Sequence, residues 1–137
     1  MNCSHCDIDV VVFAVPDELE THAPDGHATA AVCPHCLAVT AATDETPADD
    51  PAFDRIDESF PAGEGGAALA LLVNTLPSIA LRKEAARACR EYAEANGVDV
   101  ELTLDRLVDA VHDGEIVPEF DLERRAYQLD SLLAGGT

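Results

Sequence analysis

Tryptophan is absent from this chain, tyrosine occurs twice and phenylalanine four times. With so few rings, the interior has to be filled by small and branched aliphatic side chains. Hydrophobic residues do make up 47% of the sequence, with Ala and Val prominent, which is enough for a core. Lysine occurs once, at Lys83. Residues 1–54 contain no Lys or Arg and eleven Asp and Glu. A phosphate-binding surface needs several cations to displace counterions, so this stretch argues against direct nucleic-acid binding. No run of eighteen apolar residues is present, so no membrane span is expected. The N-terminus MNCSHCDID has neither a basic n-region nor an apolar stretch, unlike a secretory leader, so a cytoplasmic chain is expected. HExxH and GxSxG are missing. GEGG (63–66) lacks the lysine and the preceding strand of a phosphate loop and reads as the turn into a helix. The expectation is a protein that is not an enzyme.

Acid is abundant. Twenty-seven Asp and Glu face eight Lys and Arg, a formal net charge of −19. Such a charge repels itself and destabilises the compact state in dilute solution. Molar salt shortens the screening length to roughly 3 Å and removes most of that penalty. Abundant acid, scarce lysine and small apolar residues resemble the composition of proteins from organisms that hold molar salt in the cytosol.

The cysteines carry the strongest pattern. Four of the five lie in CSHC (3–6) and CPHC (33–36), spaced C-x2-C-x26-C-x2-C. A C-x2-C turn aims backbone amides at sulfur and turns both thiolates toward one point. Two such turns brought together make a tetrahedral four-sulfur site, the geometry Zn²⁺ favours. A reducing cytosol disfavours disulfides, and neither pair opens a helix after a βα unit, as a thioredoxin-like motif would. The two pairs are therefore expected to hold one metal ion. With all four positions filled by protein, the site is structural. His5 and His35 sit inside the pairs, where either can stand in for a cysteine; with four cysteines at hand they read as solvated. His22 and His27 read as exposed, and Cys89 as a small buried hydrophobe.

Along the chain, DIDVVVFAV (7–15) reads as a strand, PDELETH as one or two helical turns and APDGHA as a turn. HATAAV and LAVT supply a second and a third strand around the second cysteine pair. Residues 42–66 are rich in Pro, Asp, Glu and Gly without period and read as an acidic linker, ordered in part around Phe53, Ile56 and Phe60. AALALLVNTL (67–76) is apolar all round and reads as a buried helix ended by Pro77. A second helix puts Ala85, Cys89, Tyr92 and Ala93 on one face and stops at Gly97. VDVELT is short and alternating. Thr103 is placed as the cap of a third helix with the stripe Leu104, Leu107, Val108 and Val111, ended by Gly114. Asp121 caps a fourth with Leu122, Ala126, Leu129, Leu132 and Leu133 on one face. The fold class is α+β: a three-stranded zinc ribbon (1–43), an acidic linker (44–66) and a bundle of about four helices (67–137).

Residues 1–43 resemble zinc-ribbon and rubredoxin-like knuckle proteins. That resemblance implies Zn²⁺ on Cys3, Cys6, Cys33 and Cys36. Rubredoxin knuckles usually carry glycine and aromatic residues beside the cysteines, and CSHC and CPHC do not, which favours zinc over iron. The whole chain, through its N-terminal CxxC, CPHCL, FPAGEGG and ELTLDRL stretches, resembles a family of uncharacterised haloarchaeal zinc-ribbon proteins. No activity comes with that likeness.

The cations are concentrated elsewhere. Lys83, Arg87 and Arg90 fall at i, i+4 and i+7 on one helix, with Arg82 beside them, and Arg124 and Arg125 form a smaller cluster. Such a stripe either pairs with neighbouring carboxylates or docks an acidic protein or a second copy of the chain. The expected function is a structural-zinc interaction or adaptor module. A rubredoxin-like iron electron carrier is the alternative, and a transcription-associated regulator acting through a protein partner is the third reading.

Overall fold

The computed structural model describes residues 1–135, with side chains through Leu133. Three short strands, β1 (Val11–Ala14), β2 (Thr29–Val32) and β3 (Val39–Ala41), form an antiparallel sheet in the order β1-β2-β3. Val11 pairs with Val32 and Phe13 with Ala30 across the first ladder, and Val32 pairs with Val39 across the second. Four helices follow: α1 (Gly63–Thr75), α2 (Lys83–Ala95), α3 (Val100–His112) and α4 (Leu122–Gly135). This is the α+β arrangement that the apolar patterning predicts.

β1 is shorter than expected. Asp7 has φ +56° and turns the chain back on the first cysteine pair, so residues 7–10 precede the strand. The two turns between β1 and β2 are 3-10 turns, at Asp17–His22 and Pro24–Gly26, and Leu19 of the first is buried. His22 and His27, expected to be exposed, are half-buried there.

One buried cluster joins the sheet to the helices. Val11, Phe13 and Val15 alternate inward along β1, as period two requires, and meet Leu69, Leu72 and Leu76 of the α1 region in the same core. Phe53, Ile56 and Phe60, from the proline-rich middle segment, are buried in it as well. Phe13 and Phe53 lie 5.5 Å apart between ring centroids, and Phe53 and Phe60 also 5.5 Å. Three of the chain's four Phe rings thus line one seam between sheet, middle segment and α1. Ring pairs at that separation add about 0.5–1.5 kcal/mol each beyond their buried area.

α1 begins at Gly63, four residues before its apolar run, so GEGG is the helix's first turn. The close packing there explains the glycines. A Cβ on Gly66 would collide with the Pro61 carbonyl oxygen and come within 2.6 Å of Phe53 Cδ2, and one on Gly65 within 2.6 Å of Val98 Cγ2. α2 lays Ala85, Ala86, Cys89 and Ala93 against α1, and these small side chains let the two helices approach closely.

The ends of α2 and α3 follow one rule. Val98 N–H donates to Ala93 O and Gly97 N–H to Glu94 O; Glu115 N–H donates to Ala110 O and Gly114 N–H to Val111 O. Gly97 and Gly114 have φ of +83° and +79°, as this left-handed C-terminal motif requires. The start of α3 differs from expectation. Asp99, not Thr103, is the cap: its carboxylate accepts from Leu102 N–H at 3.0 Å. Thr103 lies one turn inside, buried, with its hydroxyl donating to Asp99 O at 2.8 Å. The alternation of VDVELT hid the helical stripe, which starts one turn earlier at the buried Val100. Asp121 caps α4 as expected, accepting from Arg124 N–H at 3.1 Å.

Candidate metal centre

The two cysteine pairs fold into the same turn. In the first, Cys6 N–H donates to Cys3 Sγ at 3.4 Å, Asp7 N–H to Cys3 O, and Cys3 N–H to Ile8 O. In the second, Cys36 N–H donates to Cys33 Sγ at 3.4 Å, Leu37 N–H to Cys33 O, and Cys33 N–H to Ala38 O. The fifth residue of each turn is left-handed, Asp7 at φ +56° and Leu37 at φ +64°. Asp tolerates that conformation, whereas for Leu it costs about 1–2 kcal/mol. Leu37 is held there because its side chain is buried in the main core, 2% exposed. The second knuckle is therefore fixed to the helical half by its own turn residue.

Antiparallel pairing brings the turns together. β1 leaves the first knuckle, and β2 and β3 enter and leave the second, so the β1–β2 ladder sets one against the other. The four sulfurs of Cys3, Cys6, Cys33 and Cys36 all lie within 4.8 Å of one another, and Cys3 Sγ is 3.8 Å from Cys36 Sγ. Zinc–thiolate bonds of about 2.3 Å in a tetrahedron give sulfur–sulfur edges of about 3.8 Å. A donor set at this spacing can hold one metal ion. Cys33 and Cys36 are 1% and 3% exposed and Cys3 is 9% exposed, whereas Cys6 is more open.

The electrostatics of the cluster favour a cation at its centre. Hydrogen bonds from the backbone of Cys6 and His5 bring the Cys3 thiol down to about 7, against the opposing effect of burial. Burial pushes Cys36 well up, and its neighbouring thiols add to the rise. Four sulfurs this close cannot all ionise unaided; a metal cation would supply the compensating charge.

The connection between α3 and α4 also reaches this end of the molecule. Val117 N–H donates to His35 O at 2.8 Å. Glu119 Oε1 lies 2.8 Å from His5 Nε2 on the other knuckle, with both side chains exposed. His35, also exposed, turns its Nδ1 to within 3.5 Å of Cys6 Sγ. A cleft of about 480 Å³ opens beside the sulfurs, with Cys3, Cys33, His5, Thr40 and Glu119 on its walls. Val117 and Glu119 carry no motif in the sequence. They join the site through the path of the α3–α4 connection, which no local pattern reports.

The basic stripe is partly engaged. Arg90 lies 3.2 Å from Asp130 of α4 and 3.6 Å from Glu94 on its own helix. Arg82 donates to His22 O at 2.9 Å, and Arg125 donates to Gln128. Among the described residues, Lys83 and Arg87 make no ion pair within 4 Å. Cys89 is fully buried on α2, and burial pushes its thiol up to about 12, so it is an inert part of the core. No helix among the described residues is long and apolar enough to cross a membrane.

The chain matches no curated protein and no solved structure. A family model does match it, over residues 2–133, covering both cysteine pairs and all but the end of α4. The chain belongs to that family, a family of unknown function designated DUF6276.

Proposed function

We propose that this protein is a non-enzymatic interaction module of a salt-rich cytoplasm, held together at one end by Zn²⁺ on Cys3, Cys6, Cys33 and Cys36. The observation that carries the reading is the gathering of four sulfurs within 4.8 Å, each pair held by the same amide-to-sulfur turn. Four protein thiolates fill the coordination sphere of zinc and leave no position for water or substrate, which makes the metal structural. The net charge of −19 supports a salt-rich setting, where screening relieves the self-repulsion.

The partner is a protein or a second copy of the chain, docking on the face of α2 that carries the half-buried Lys83 and Arg87. Lys83 and Arg87 are its available cations, since Arg90 is paired with Asp130 and Glu94. Reversing Lys83 and Arg87 to Glu abolishes recovery of the partner or self-association with the fold intact. Unchanged association rejects the α2 face.

The first test is metal and thiol analysis of protein purified in molar KCl. One zinc per chain, with four thiols released only by a mercurial or by denaturant, is the expected result. Iron in its place makes the protein a rubredoxin-like electron carrier. No metal, with freely reacting thiols, overturns the reading.

A further inference from the structure

The four corners of the thiol cluster are unequal. Cys3, Cys33 and Cys36 are buried, and Cys6 is the accessible one. An imidazole stands beside that corner alone: His35 Nδ1 is 3.5 Å from Cys6 Sγ. This is closer than the 3.8 Å between the sulfurs of Cys3 and Cys36. His35 is not a loose surface residue, because Val117 N–H holds its carbonyl at 2.8 Å and Cys33 and Cys36 of the same turn fix its backbone on both sides. The other knuckle histidine is differently placed, with His5 Nε2 2.8 Å from Glu119 Oε1. Neutral imidazole nitrogen suits zinc, and three thiolates with one imidazole make a known structural set.

We infer that His35 is a reserve ligand for the Cys6 corner: when the Cys6 thiolate is lost, His35 closes the site and the metal stays. The inference rests on the metal reading above and adds a fifth donor to it. In chemical terms, the accessible Cys6 sulfur attacks an alkylating electrophile, a carbon–sulfur bond forms and the leaving group departs as its anion. The resulting thioether is a poor zinc ligand, and the lone pair of the neutral His35 imidazole takes its place. The three buried thiolates are unchanged, and the site becomes one unit less negative. The accessible corner thereby becomes a place where the protein can be modified without losing the clasp.

The test uses the full chain in molar KCl with Co²⁺ as the spectroscopic probe. Wild type binds one Co²⁺ with the spectrum of four thiolates. Cys6→Ser retains one Co²⁺ with weaker sulfur charge-transfer bands and ligand-field bands moved to shorter wavelength, because nitrogen is the stronger-field donor. Adding His35→Ala to Cys6→Ser removes the shift and weakens binding at least tenfold. Cys33→Ser, at a buried corner, loses Co²⁺ outright. Identical spectra and affinities for Cys6→Ser and the double variant overturn the reserve-ligand inference while leaving the four-thiolate site standing. Failure of wild type to bind Co²⁺ overturns both. A second measurement avoids dependence on the folding of Cys6→Ser. One equivalent of iodoacetamide on the zinc-loaded protein, read by native mass spectrometry, gives a singly alkylated species that keeps zinc in wild type and loses it in His35→Asn. Loss of zinc from both singly alkylated species counts against the inference.

Discussion

At the thiol end, the buried side chains are Cys3, Cys33 and Cys36, with Cys6 and Val10 packed beside them, a cluster separate from the rest of the interior. In the main core, residues from β1, β2, the middle segment and all four helices share one continuous cluster. The two are linked through Leu37, which belongs to the second knuckle by its backbone and to the main core by its side chain. The main core rests on many small contributions, each replaceable by repacking at a cost. The thiol end has too little apolar surface for that. Its sulfurs repel one another when ionised, and a metal ion held among them would turn the same groups from a liability into a clasp. Redundant burial tolerates single losses, whereas a four-ligand site does not tolerate the loss of a buried corner.

The largest expected effect breaks the comparison most directly. Chelating the metal, or changing Cys33→Ser, removes a contribution on the order of 10 kcal/mol from the small thiol end. Hydrogen exchange then rises at residues 2–10 and 33–38 while the α1–α2 amides stay protected. Simultaneous loss of protection in α1 and α2 would show that the two regions unfold as one unit. Next comes the core itself. Leu69→Ala, at a fully buried position of α1, lowers the stability of the metal-loaded protein by about 2–5 kcal/mol in urea titration and leaves metal content unchanged. Gly66→Ala is expected to cost about 1–3 kcal/mol, because its Cβ meets the Pro61 carbonyl oxygen and the Phe53 ring. A neutral result there would mean that the backbone at Pro61 and the seam of three Phe rings give way more easily than their packing indicates. Asp99→Ala removes the cap of α3 and costs about 1 kcal/mol, read as a lower urea midpoint. The smallest effect belongs to the surface. Arg90→Ala breaks the pair with Asp130 and changes stability by less than about 1 kcal/mol, with no change at all in molar salt.

Much of this was legible along the chain. The two C-x2-C pairs announced a four-sulfur cluster because their chemistry is local: a knuckle is a turn of a few residues whose own amides serve its own sulfurs. The stops at Gly97 and Gly114 and the cap at Asp121 were readable for the same reason, since a helix end is closed by the residues next to it. The stripe of α4 was readable too, because helical period alone places Leu122 and Leu129 on one buried face. Where two local signals competed, the reading failed. VDVELT read only as short and alternating, and the packing of Val100 and Thr103 in the core resolves it as the first turn of a helix capped by Asp99.

Composition and short-range pattern thus determined the fold class, the helix faces, most of the caps and the identity of the four thiols. Tertiary structure alone decided how they are joined. It buried Phe53, Ile56 and Phe60 of a segment without period, strained Leu37 into a left-handed turn to fill the core, and paired Arg90 with Asp130. It also brought Val117 and Glu119 against the knuckles and set His35 beside Cys6 rather than any other corner. Each of these contacts joins residues far apart in sequence or depends on a side chain's direction in space. Neither quantity is encoded in spacing along one chain; both come into being when the sheet and helices close on a common core.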